Sequence, residues 1–153
     1  MKEMSQIARK MLWAPIGLYL LAFVLPGTVA PTGELIRGYD MTLQGGLLLL
    51  VTLANLGNDP WNLLLWLAPW LGNIVFLWGA FCFSRHGYVS AGLWALISLA
   101  LISDFVISPM AIYRGSGEGA GTVGLAYGYF VWLAAPALLL LISIFAAKSR
   151  QHA

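Results

Sequence analysis

The chain has 153 residues, 60% of them apolar and 9% charged, with a mean hydropathy of +0.82 and a net charge of +2. A soluble domain is nearer half apolar and a quarter charged, and a 16.6 kDa chain has too much surface per volume to hide this much hydrocarbon from water. The composition excludes a soluble globular enzyme and a disordered chain. Eight Lys/Arg against six Asp/Glu also give no basis for nucleic-acid binding. It describes an all-α integral membrane protein. Cys82 is the single cysteine, so no internal disulfide forms and no redox compartment can be read from it.

Crossing a hydrocarbon core takes about 20 residues of helix. Four stretches meet that length, at about 11–30, 61–83, 88–108 and 125–147. The first also has the outline of a signal peptide, since Lys2, Arg9 and Lys10 precede an apolar run ending in Thr28-Val29-Ala30. Pro31 at the position after that site disfavours cleavage, so the segment is expected to stay as a helix.

A fifth apolar run, 47–56, lies between Gly45-Gly46 and Gly57-Asn58-Asp59-Pro60 and is too short to span. Asp40, Gln44, Thr52, Asn55 and Asp59 fall within about 120° of one another at 100° per residue. That stripe predicts a short outer interfacial helix at about 43–56 with a narrow polar edge towards water. A re-entrant segment packed among the spans is the alternative.

With four spans, Lys2, Arg9, Lys10, Arg85, Lys148 and Arg150 fall on one side, and Arg37 and Arg114 on the other. Basic residues concentrate on the cytoplasmic side, which puts both termini in the cytoplasm. Residues 1–153 then form a single four-helix transmembrane domain, with 148–153 a short cytoplasmic tail. Ser84-Arg85-His86-Gly87 is so short a link that the helices on either side must be antiparallel neighbours.

Few residues suggest chemistry. Gly119-Ala120-Gly121-Thr122-Val123-Gly124 spells a dinucleotide fingerprint, but it precedes a spanning helix rather than opening a βαβ unit. His86 and His152 sit at the cytoplasmic rim, away from where a transmembrane haem needs its ligands. His86 and Cys82 together are too few for a zinc site. No catalytic residue, metal or cofactor is expected.

Asp104 is the one acid within a predicted span, either solvated near the outer end, paired with Arg114, or part of an ion path. Asn62, Trp66, Pro69 and Asn73 share a helix face, and an amide in lipid needs a partner, so that face should look into the bundle. Asn62, Asn73 and Asp104 are thus the candidate polar bundle face. Asp40, Asn55, Asp59 and Arg114 are candidate outer-surface contacts. Trp13, Trp61, Trp78 and Trp132, with Tyr88, Tyr127 and Tyr129, are expected at the membrane interfaces, where amphipathic rings collect.

Three runs, Gly38-Tyr39-Asp40, Gly45-Gly46-Leu47-Leu48 and Trp66-Leu67-Ala68-Pro69-Trp70-Leu71-Gly72-Asn73, resemble small, uncharacterised bacterial inner-membrane proteins. In these a GWE or GYE outer loop precedes a WLANP-like segment. A GYYLWLAS-like stretch opens their last helix, as Gly128-Tyr129-Phe130-Val131-Trp132-Leu133-Ala134-Ala135 does here. In this chain Pro69 follows Trp66-Leu67-Ala68 directly, without the intervening Asn. The resemblance implies a four-span fold and no activity. Functionally, the sequence points to a non-enzymatic protein that contacts the lipid bilayer and another membrane protein, or itself, through its helices. It would be an accessory subunit or a toxin-immunity protein. A small oligomeric transporter or channel using Asn73 and Asp104 is the alternative, and a lipid-modifying enzyme using Glu34, Asp40 or Asp59 the weakest reading.

Overall fold

The computed structural model describes residues 2–30, 33–54, 60–107 and 124–151. Five helices make up most of them: α1 (Lys2–Val24), α2 (Gly38–Ala54), α3 (Pro60–Ser84), α4 (Tyr88–Ile107) and α5 (Tyr127–Gln151). Three short strands, β1 (Pro26–Val29), β2 (Leu35–Arg37) and β3 (Gly124–Leu125), form an antiparallel sheet in the order β2-β1-β3.

Helix α3 packs along α4, α4 along α5, and α5 along α1, with α1 touching α3 more lightly to close the ring. Each helix turns a seam inward at alternating spacings of four and three residues, the knobs-into-holes period. The buried seams are Pro15, Tyr19 and Ala22 on α1, and Gly72, Phe76, Gly79 and Phe83 on α3. On α4 they are Ala91, Ala95, Ser98 and Ile102, and on α5 Ala135, Leu139 and Ile142. Glycines set the closest crossings: a Cβ on Gly72 would meet Ile102 Cγ1 at 2.8 Å, and one on Gly79 would meet Trp94 Cβ at 3.2 Å. About half of these seam residues are small, and many large apolar side chains outside the seams face out. Leu20, Leu77, Trp78, Leu93, Leu141 and Phe145 are all roughly half exposed or more.

The α3–α4 turn has the geometry of a helix C-cap. Gly87 N–H donates to Cys82 O at 2.9 Å and His86 N–H to Phe83 O at 2.9 Å, with His86 in the left-handed region at φ 64°. This confirms the antiparallel pairing read from the link. At the other end, β1 pairs with β3, and Ala126 N–H donates to Gly27 O at 3.0 Å. The C-terminal end of α1 therefore meets the N-terminal end of α5. The N-terminal end of α1, the α3–α4 turn and the C-terminal end of α5 share the opposite end of the bundle.

Three expectations are corrected. Residues 11–30 are not one helix: α1 begins at Lys2 and stops at Val24, because Pro26 cannot donate to a helix and its residues enter the sheet. Helix α2 does not start at 43; it begins at Gly38 and continues through Gly45-Gly46. A Cβ on Gly38 would lie 2.2 Å from Ala22 O, so only glycine allows α2 to start against the backbone of α1. Of the polar stripe expected along α2, Asp40 is half-buried and the side chains of Gln44, Thr52, Asn55 and Asp59 fall outside the described residues, while Leu43, Leu47 and Leu50 are exposed. The strands themselves were unforeseen, so the chain is mostly, not wholly, α. Among the described residues, two helical stretches, Leu67–Ser84 and Tyr127–Arg150, are long and apolar enough to cross a membrane; Lys10–Val24 and Tyr88–Ser103 are shorter apolar helices.

Candidate functional site

The most connected polar group inside the bundle is the Asn73 amide, on the face of α3 that looks between α1 and α5. Its Oδ1 accepts the Tyr19 hydroxyl of α1 at 3.0 Å and the Trp132 Nε1–H of α5 at 2.9 Å. An indole nitrogen can only donate, so the atom facing it is the amide oxygen. The Nδ2 turns back one helical turn to Pro69 O at 3.4 Å. Aromatic packing holds both donors in place. The Tyr19 ring stacks on Phe76 at 4.8 Å and meets Phe23 edge-on at 5.2 Å, while Trp132 meets Tyr129 edge-on at 6.1 Å.

A second tier lies beside the first. Ser98 Oγ of α4 donates to Gly72 O of α3 at 2.8 Å, where the absence of a Cβ on Gly72 makes room for Ile102 of the same helix as Ser98. Tyr129 OH of α5 donates to Ile102 O of α4 at 2.9 Å. Together the two tiers tie all four bundle helices at one level. Among the described residues, no buried side-chain nitrogen or oxygen lacks a partner.

At the end of the bundle that carries the α3–α4 turn, His86 Nδ1 lies 3.0 Å from Tyr88 OH, and Arg150 Nη1 donates to His86 O at 3.3 Å. The Arg150 guanidinium also sits over the Tyr88 ring at 5.9 Å. These contacts fasten the end of α5 to the turn.

Of the candidates named from sequence, Asn73 does face the bundle interior. Asp40 lies half-buried in the first turn of α2, where a carboxylate favours the helix N-terminus. Asn62 is in the first turn of α3 and Asp104 in the last turn of α4, and their side chains fall outside the described residues. So do Asn55, Asp59, Arg114, His152 and the run 119–123 of the glycine pattern; Gly124, its last residue, is in β3. Trp132 and Tyr129, expected near the membrane interfaces, face inward at the sheet end of the bundle, Tyr129 almost fully buried, because each has a polar atom that ties neighbouring helices. Reading by type missed Tyr19 and Ser98 as well. Their signal was positional, since both occupy the four-three seam.

No protein-family model matches this chain, no curated protein matches it in sequence and no solved structure matches it in fold. What the site can do must come from its own chemistry. Amide, phenol, indole and hydroxyl are the groups gathered here, and in this geometry they satisfy one another. Among the described residues there is no group of three His, Cys, Asp or Glu side chains able to hold a metal. The arrangement acts as a hydrogen-bonded clasp on helix packing.

Proposed function

We propose that this is a non-enzymatic integral membrane protein with four spans, α1, α3, α4 and α5, acting through helix–helix contacts with another membrane protein. The observation that carries this reading is the reversed distribution of size and polarity. The interior polar groups are spent on one another, and the outer surface is large and apolar. Only 33% of the Leu67–Ser84 stretch and 28% of Tyr127–Arg150 are buried inside the molecule, whereas the core helix of a soluble protein is mostly buried. Small residues at helix crossings suit association in lipid, where close backbone approach replaces the hydrophobic effect as the driving force.

Dimensions agree with a bilayer. Asn73 to Arg85 is about 18 Å of helix, and Tyr19 to Val24 about 8 Å. The bundle between its charged turn and its sheet is therefore about 26 Å thick, near the hydrocarbon thickness of about 30 Å. Lys10, Arg85, Lys148 and Arg150 gather towards the turn end, which is the cytoplasmic end by the positive-inside rule. Both termini are then cytoplasmic, and the sheet with α2 lies on the outer side. An accessory subunit or a toxin-immunity protein of a bacterial inner membrane fits this architecture. Channel or transporter use of Asn73 is less favoured, because both donors that meet its oxygen come from the protein itself.

Two experiments test this. Extraction into lipid nanodiscs, followed by mass determination, should return a stoichiometric second protein. A homo-oligomer carrying a bound small solute would refute the accessory role and favour transport. Single cysteines placed at Lys148 and Glu34 in a Cys82→Ser background should label from opposite sides of sealed vesicles. Labelling from the same side would refute the four-span topology.

A further inference from the structure

We infer that the outward groove of the α3–α4 hairpin, with Arg85 over the Phe81 ring at its turn end, is a binding site for a phospholipid with an anionic headgroup. This rests on the membrane reading above and goes beyond it. The groove is lined by Ile74, Leu77, Trp78 and Phe81 of α3 and by Trp94 of α4. Ile74, Trp78 and Phe81 form one stripe, at spacings of four and three residues, and Arg85 is the next position on it. Gly79 brings the two helices together, since a Cβ there would meet Trp94 Cβ at 3.2 Å and Ala91 O at 3.4 Å. The Trp78 and Trp94 rings are left to wall a cleft of acyl-chain character.

The headgroup end is set by charge. The Arg85 guanidinium lies over the Phe81 ring at 5.3 Å. The ring contact is a cation–π contact that forms no hydrogen bond to an oxygen, so the guanidinium N–H donors remain for a bidentate oxyanion. Arg150, by contrast, is already engaged with His86 O and the Tyr88 ring. The acids whose side chains are described, Glu34 and Asp40, belong to the sheet and α2 at the far end of the bundle. Among the described residues, then, no carboxylate meets this basic residue at the end of an apolar aromatic cleft, and the chemistry that complements both halves is an acyl chain joined to a phosphate of net negative charge.

The test is native mass spectrometry of the full chain in mild detergent, titrated with phosphatidylglycerol, phosphatidylcholine or inorganic phosphate. Phosphatidylglycerol should bind at least five-fold more tightly than phosphatidylcholine. Arg85→Gln should remove that preference with unchanged helical circular dichroism. Arg85→Lys should keep part of it, and Arg150→Gln should leave it intact. Trp78→Ala should weaken both lipids alike. Equal binding of the two lipids, or an Arg85→Gln variant that still prefers phosphatidylglycerol, would overturn the site. Competition by inorganic phosphate as effective as by the lipid would reduce it to an anion site and overturn the lipid assignment. Carbonate extraction of the same membranes separates the two readings. A chain released by carbonate refutes membrane insertion itself, whereas one retained without lipid preference refutes only this site.

Discussion

Replacing Asn73 with alanine tests whether the amide is a clasp. The substitution removes the acceptor shared by Tyr19 and Trp132, which lie on two different helices. Side-chain hydrogen bonds between helices in membranes average about 0.6 kcal/mol, with a maximum near 1.7. Two such bonds give about 1–3 kcal/mol, and the half-buried indole and buried phenol donors left unpaired push the loss to the upper part of that range. Reversible unfolding in mixed micelles of increasing dodecyl sulfate fraction, followed by circular dichroism, reads the loss directly. Leu77→Ala, which truncates a half-exposed side chain on the same helix, is the control and should cost less than 1 kcal/mol. A double-mutant cycle of Asn73→Ala with Trp132→Phe should give a coupling of about 0.5–1.5 kcal/mol. Additivity within about 0.3 kcal/mol, or a loss no larger than for Leu77→Ala, would refute the clasp.

Two further outcomes follow from backbone geometry. Gly38→Ala puts a methyl 2.2 Å from Ala22 O, a backbone atom that cannot turn aside. It should cost at least about 1–3 kcal/mol and raise protease cleavage between α1 and α2; an unchanged unfolding midpoint would refute the close approach. His86 occupies the left-handed C-cap position at φ 64°, which glycine adopts without steric cost. His86→Gly should therefore be about 0.5–1 kcal/mol more stable than His86→Ala, a comparison that cancels the lost contact with Tyr88. Equal stabilities would refute the assignment.

The extent to which the sequence could be read depended on the range of the interactions. Helices α3, α4 and α5 begin within two residues of where apolar length placed them, because in each case a local breaker coincides with the boundary. Pro60 opens α3, and Arg85-His86-Gly87 separates α3 from α4. The sheet was not legible. Its β1 residues pair with Gly124 and Leu125, nearly a hundred positions away, and nothing in Pro-Gly-Thr-Val declares such a partner. The start of α2 was hidden for the opposite reason. Glycines usually punctuate, but Gly46 serves contact here, with Trp70 Nε1 3.5 Å from where its Cβ would stand. Asn73 could be picked out by polarity alone. Its partners could not, because Tyr19 and Trp132 look like ordinary interfacial aromatics until the seam positions are aligned across helices.

That alignment also explains why a single amide has such leverage. In water, burying large side chains would hold a bundle together and fix its register at once. Here the seams mix small residues (Ala22, Gly72, Gly79, Ala91, Ala95, Ser98, Ala135) with large ones (Tyr19, Phe76, Phe83, Ile102, Leu139, Ile142), and many further large apolar side chains face outward, so apolar burial alone sets the register less sharply. Register is sharpened by features that fit one arrangement only. Gly72 beneath Ile102 and Gly79 beneath Trp94 are two such fits between α3 and α4. Between α1, α3 and α5 the corresponding constraint is polar. The Asn73 oxygen can receive Tyr19 and Trp132 together only when both helices are at the observed height, and a slip of one turn, about 5.4 Å, would break both bonds. The polar groups of the interior are thereby accounted for by packing specificity, a task in which the exposed apolar exterior takes no part.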